Sequence, residues 1–321
     1  MTGEEFRKLL NEPNAPGMEY IANPGEYERD ILNGYSMSVV KYGFELDQYC
    51  PAKLGQLTCV IGHTTVGKTT VLLWLLSKLI KAGRKVLIYS AENRISTLHR
   101  NITRFITGQP QVTQAMLDAV RDSVKYIEHK KHFTYKEMLN QSTYLLDAGF
   151  DFDYFLIDPY NSLRIDPTLR INTHEYHYQA ADEMRIFTIT TNKSIFLNCH
   201  TVTEAQRVKP DANGHRPAPL DADVEGGAKF PNKADDTIVI HRQVSSKDPE
   251  ERLTTELHVR KVRNKEFGGD TTPWEEPMKI KFRHNWTGFD VIGSYEQKLN
   301  DYKQMNFYEP EKEQLPDWVT N

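Results

Sequence analysis

The stretch LTCVIGHTTVGKTTVLLWLLSKLIK, residues 57–81, changes its pattern at Gly62 and again after Gly67. Leu57–Ile61 is a short, largely apolar run of strand length. GHTTVGKT follows (Gly62, His63, Thr64, Thr65, Val66, Gly67, Lys68, Thr69), the full G-x-x-x-x-G-K-[ST] spacing. From Lys68 onward the apolar residues recur as in a buried helix. Glycines let backbone N–H groups curl around an anion, and the helix start adds the positive end of its dipole. In this order Lys68 is placed for β- and γ-phosphates and the Thr69 hydroxyl for Mg²⁺. Residues 62–69 with Thr70 are therefore the expected phosphate cradle, and ATP with Mg²⁺ the expected ligands.

Other strand-like runs end in chemistry. FLIDPYNSL (155–163) delivers Asp158 at the end of an apolar run, as a buried parallel strand delivers a carboxylate to a sheet edge. Asp158 is the expected Mg²⁺-organising group. The next residue is Pro159, where many nucleotide hydrolases carry a glutamate, so the base has to come from elsewhere. KVLIYS (85–90) runs into AEN and sets Glu92 just past a strand tip. In an open parallel sheet the carboxyl ends of neighbouring strands face one crevice. Glu92 there is either a water-orienting base or a carboxylate favouring the following helix start. SIFLNCH (194–200) ends at His200, a γ-phosphate contact or a satisfied core histidine. LHVRKVRNKEFGGD (257–270) puts Lys261 and Arg263 on one face of a strand, suited to phosphate oxygens or to guarding a sheet edge.

Taken together, GHTTVGKT, SAEN, FLIDPY, FLNCH and KVRN resemble, in order, the RecA-type motor of hexameric replicative helicases: the DnaB family, the mitochondrial Twinkle helicase and the helicase half of phage primase–helicases. GFELD (43–47), NITRFITG (101–108) and DVEGGAKFPNKADDTIVIHR (223–242) extend the resemblance over residues 35–292. It implies an α/β RecA-like P-loop NTPase with a central, mostly parallel sheet and helices on both faces. It also implies Glu92 as catalytic base, Lys68 and His200 on the phosphates, and Lys261 and Arg263 inserted into a neighbouring subunit's ATP site. Arg242 and Phe282 sit where such proteins sandwich the adenine. The implied assembly is a homo-hexameric ring on single-stranded DNA, with a separate primase or other replisome partner. A RecA- or KaiC-like recombinase or regulatory ATPase is the alternative.

Two loops would face a ring's channel. One is 161–178, with Arg164 and Arg170; the other runs from Thr201 to Lys233, with Arg207, Lys209, Arg216, Lys229 and Lys233. Basic residues there suit a phosphate backbone. The net charge of −4 argues against broad coating of nucleic acid while leaving room for a local basic path. With 39% hydrophobic and 26% charged residues the chain reads as soluble and globular. Its most apolar run, residues 71–80, is too short to span a bilayer. Cys50, Cys59 and Cys199 read as free buried thiols, and the expected location is the cytoplasm, in a cellular or phage-encoded replisome. The expected division is a linker at 1–34 (a short amphipathic helix at 2–10, then an extended connector), a motor at 35–293, and an acidic tail at 294–321.

Overall fold

The computed structural model describes residues 39–292 together with Glu28, Ile31 and Leu32. The chain divides after Val39 into two compact units, and the second carries the whole of a nine-stranded sheet. Its strands are β1 (Leu57–Gly62), β2 (Val86–Ser90), β3 (Val124–Ile127), β4 (Tyr154–Asp158), β5 (Ser194–His200), β6 (Asp236–Arg242), β7 (Thr254–Val262), β8 (Met278–Phe282) and β9 (Phe289–Ile292). Across the sheet they lie in the order β9-β8-β7-β6-β1-β5-β4-β2-β3. From β3 to β6 all neighbours are parallel, and β7, β8 and β9 add an antiparallel extension. The expected mostly parallel sheet is present.

Period-two alternation divides each central strand between two cores. On one face Val60, Ile88 and Leu156 pack with α1 (Lys68–Lys81), α2 (Ile95–Thr107) and α3 (Gln114–Arg121). On the other, Cys59, Leu87 and Phe155 pack with α4 (Tyr135–Asp147) and α5 (Thr173–Thr191). Helix α1 forms because Leu72, Leu73, Leu75, Leu76 and Leu79 are all buried against the sheet. Lys78 and Lys81 in its last turn suit the negative end of the dipole, and Gly83, at φ 78°, lets the chain turn away.

Three expectations change. Residues 173–178 are not loop but the start of α5, because the Asn172 side chain accepts the Glu175 N–H at 2.8 Å and caps it. Glu28, Ile31 and Leu32, within the expected extended connector, are helical. The segment expected as one loop up to Lys233 contains short helices at Thr203–Gln206 and Lys229–Lys233. Cys50, Cys59 and Cys199 are free and buried, with the Cys59 and Cys199 sulfurs 3.9 Å apart. The helix expected at 2–10 and the tail at 294–321 lie outside the described residues.

Candidate active site

Gly62 ends β1 where no side chain fits: a Cβ there would lie 2.4 Å from the Ile240 carbonyl. The loop then curls through Thr65 (φ 67°) and Gly67 (φ 93°), the left-handed backbone that a concave nest requires. Val66 anchors it in the core while Thr64 and Thr65 stay exposed. Lys68 folds back over the loop, donating to the carbonyls of Gly62 at 2.8 Å and His63 at 2.9 Å. It is only 6% exposed, and burial pushes its ammonium down to about 8, against the pull of nearby Asp158. His63 meets Thr201 (Nδ1 to Oγ1, 3.2 Å), joining the phosphate loop to the segment after β5.

Asp158 is fully buried at the tip of β4. Its carboxylate accepts from Thr69 Oγ1 at 3.0 and 3.1 Å, from Ser90 Oγ at 3.1 Å, and from the Asn198 amide. Burial raises its pKa even against the bonds from those three residues. A cation beside it would reverse that penalty. Thr69 and Asp158 supply hard oxygen donors, and among the described residues no group of three His, Cys, Asp or Glu could hold a metal by itself. That donor set fits Mg²⁺, which keeps waters and substrate phosphates in its shell rather than a full protein cage.

Glu92, on the loop after β2, is more than half exposed, and its Oε1 lies 3.6 Å from His200 Nε2 at the end of β5. Burial, then the Lys68 charge, hold His200 below the ordinary imidazole value, so it is neutral near pH 7. The His200 backbone N–H donates to Asn161 Oδ1 at 3.0 Å, tying β5 to the loop after β4. Lys68, Thr69, Asp158, Glu92 and His200 thus converge on one edge of the sheet, as expected. Ser90, Asn161 and Asn198 were not anticipated. Asn198 had a signal: two residues before His200, it shares that residue's face of the strand.

The other expected residues are placed in different ways. Arg242, at the end of β6, donates to the Thr65 carbonyl at 2.7 Å and so borders the phosphate loop. Phe282 packs edge-on against Trp286 and Phe289, in an aromatic cluster that also takes in Trp74. Arg242 is opposite Thr255, and Thr255 opposite Ile280, so Arg242 and Phe282 come to the same end of the sheet two strands apart. Lys261 pairs with Thr237 at the start of β6, and Arg263 follows just beyond β7. Thr237 and Arg242 are five residue steps apart along the strand, about 16 Å at roughly 3.3 Å per residue. Both cations are at the far edge from their own phosphate loop and cannot reach it.

The basic loop residues divide as well. Arg164 faces Glu137 at 3.7 Å, Lys229 donates to the His174 carbonyl at 2.6 Å, and Lys233 pairs with Asp182. Arg170, Arg207 and Lys209 are exposed, and their side chains have no hydrogen bond or ion pair among the described residues.

No family model matches the sequence, nor does any curated protein. Solved structures do resemble the fold. One of them, an ATPase domain, matches with a TM-score of 0.63 over 84% of this chain and 96% of that one, at 13% identity. The fold is RecA-like. A DnaB-like replicative helicase, described for its interactions with primase, matches with the same TM-score and identity over 84% of this chain and 65% of its own. A KaiC-like protein from Pyrococcus horikoshii OT3 matches with a TM-score of 0.51 and 15% identity, over 79% of this chain and 99% of its own. Among the described residues of the RecA-like unit no helix is long and apolar enough to cross a membrane.

Proposed function

We propose that this chain is an ATP-hydrolysing motor that assembles head to tail, draws single-stranded DNA through a ring and unwinds duplex DNA. The observation that carries the proposal is the split between sheet edges. One edge gathers Lys68, Thr69, Asp158, Glu92 and His200, while the other carries Lys261 and Arg263, too far away to serve the same phosphates. A site completed by an arginine then needs a second copy. A heterologous contact of that kind repeats until a ring closes or a filament grows. Likeness to the DnaB-like replicative helicase supports the helicase reading, and a primase is the partner class to test.

In this reading the Gly62–Thr70 backbone and Lys68 bind the phosphates of ATP. Thr69 and Asp158 hold Mg²⁺, which when bound neutralises the charge that develops on the phosphates. The Glu92 carboxylate orients a water and accepts its proton. Neutral His200, beside Glu92, contacts the γ-phosphate end and carries its loss into the segment that starts at Thr201. Arg263 of the next copy stabilises charge on the transferring phosphoryl group, a role worth on the order of 10³-fold or more. Arg170, Arg207 and Lys209 are the basic groups available to a DNA backbone.

The likeness to the KaiC-like protein favours a second reading, an ATPase that acts on protein partners. Steady-state hydrolysis with and without single-stranded DNA separates the two. Strong stimulation supports the motor. A rate indifferent to DNA refutes it and leaves the regulatory ATPase.

A further inference from the structure

The helix Lys229–Lys233 has five residues, and the chain enters β6 three residues later. So short a helix leaves its last carbonyls without partners of its own. The next hairpin supplies them. Lys261 Nζ donates to the carbonyls of Pro231 at 2.7 Å, Asn232 at 3.0 Å and Ala234 at 2.7 Å. An ammonium has three protons, and these bonds occupy all of them. Arg263 is held differently. Its guanidinium reaches the Asn232 and Lys233 carbonyls only at 3.3 and 3.4 Å, its side chain is 40% exposed, and its Nη1 lies 3.3 Å from Asp235. Asp235 is fully buried; its carboxylate accepts the Leu57 N–H at 3.0 Å and lies 2.9 Å from Arg185. The Arg263 backbone N–H donates to the Asp235 carbonyl at 3.0 Å.

Two cations that read alike in sequence therefore have different commitments. Arg263 can leave its long contacts for a phosphate at small cost. Lys261 would abandon three short charge-assisted bonds and expose three carbonyls. The segment they hold also has a second end. It starts after His200, 3.6 Å from Glu92, and its Thr201 meets His63 of the phosphate loop. One piece of chain thus runs from the chain's own nucleotide site to the strand bearing the arginine it offers elsewhere.

We infer that Lys261 is a positioning residue rather than a phosphate ligand: it ties the exit of the 201–228 segment to the strand carrying Arg263, so that the two move together. The inference rests on the reading of Arg263 as a group supplied to a neighbouring copy. Its consequence is that a change at His200, or DNA on Arg207 and Lys209, alters where the next site's arginine stands.

The test compares the full wild-type chain with Lys261→Met, Lys261→Gln and Arg263→Ala. Hydrogen exchange without nucleotide or DNA is read at Ala234, whose N–H bonds the Phe230 carbonyl, and at Arg263, whose N–H bonds the Asp235 carbonyl. Lys261→Met should lose protection at both, by at least about tenfold, with Lys261→Gln in between. ATP hydrolysis is then measured with and without single-stranded DNA. Lys261→Met should lower the ratio of the two rates by about tenfold or more with KM for ATP unchanged, whereas Arg263→Ala should lower both rates together. Unchanged exchange at 234 and 263 in Lys261→Met overturns the inference. So does a loss that raises KM and falls equally with and without DNA, since that marks a direct phosphate contact. Wild-type hydrolysis indifferent to DNA refutes the motor reading instead, and the exchange result then decides the tie on its own.

Discussion

The two edges of the sheet are built on opposite principles. At the carboxyl edge the polar groups satisfy one another within the chain: Thr69, Ser90 and Asn198 converge on one carboxylate, and Lys68 rests on two loop carbonyls. Such a site is formed before its ligand arrives, which limits reorganisation during reaction. At the amino edge Arg263 is half-committed, on contacts of 3.3 Å or longer. On the connecting loops Arg170, Arg207 and Lys209 are looser again, while Arg164, Lys229 and Lys233 are paired. Preorganisation marks the chemistry that one chain can complete alone, and its absence marks the contacts left for something else.

That contrast can be broken by experiment. The largest effect is expected from Arg263→Ala, a loss of about 10³-fold in kcat, with ATP binding largely retained because the arginine is proposed to act on charge that develops only during transfer. Glu92→Gln should cost at least about 100-fold in kcat with little change in KM, since it removes a proton acceptor and no phosphate ligand. A fully active Glu92→Gln enzyme would take the base away from this strand tip. Gly62→Ala tests the rigid edge directly. Its Cβ must displace the Ile240 carbonyl, and thermal unfolding should report a destabilisation of roughly 2–4 kcal/mol. A chain that accepts this alanine without loss would refute the tight packing.

Lys68 sharpens the comparison through pH. Its pKa in the free protein is pushed down to about 8, and phosphates favour the charged form. Binding therefore takes up a proton above pH 8, and ATP affinity should fall as pH rises through that value. Calorimetry in buffers of different ionisation enthalpy measures the uptake. The stability sign runs the same way: between pH 8 and the unfolded lysine value the unfolded chain binds the extra proton, so stability of the free protein rises with pH there. Lys68→Met should remove that part of the slope. The smallest effect belongs to Arg207→Ala or Lys209→Ala. Each should weaken single-stranded DNA binding a few-fold and reduce the salt slope by about 0.7. No change in either quantity would take these residues out of the DNA path.

The phosphate loop, the strand tips and the two-faced sheet were legible in sequence because each rests on a local pattern: a fixed glycine spacing, or an apolar run that stops at a polar residue. Glu92 and His200 could be placed from strand ends alone, and the structure puts them 3.6 Å apart. What was not legible depends on contacts distant in sequence. Ser90 and Asn198 look like ordinary strand-end polar residues until β2 and β5 flank β4. Lys261 and Arg263 look equivalent two residues apart, and only the carbonyls at 231, 232 and 234 distinguish them. The Arg242–Phe282 pairing came from resemblance alone, and the packing of Phe282 on Trp286 and Phe289 had no signal in the sequence.

The reversal of direction at β7 has a genetic consequence. Because that strand runs against β6, a copy's arginine and its own phosphate loop are at opposite ends, and in the proposed head-to-tail assembly a defect at each end would damage a different site. Glu92→Gln and Arg263→Ala should then complement each other when co-expressed, in an assembly where neither works alone. In a random equal mixture about a quarter of the sites would join an intact cradle to an intact arginine. Excess of either mutant should poison the wild type, and a lesion confined to one allele would behave as dominant.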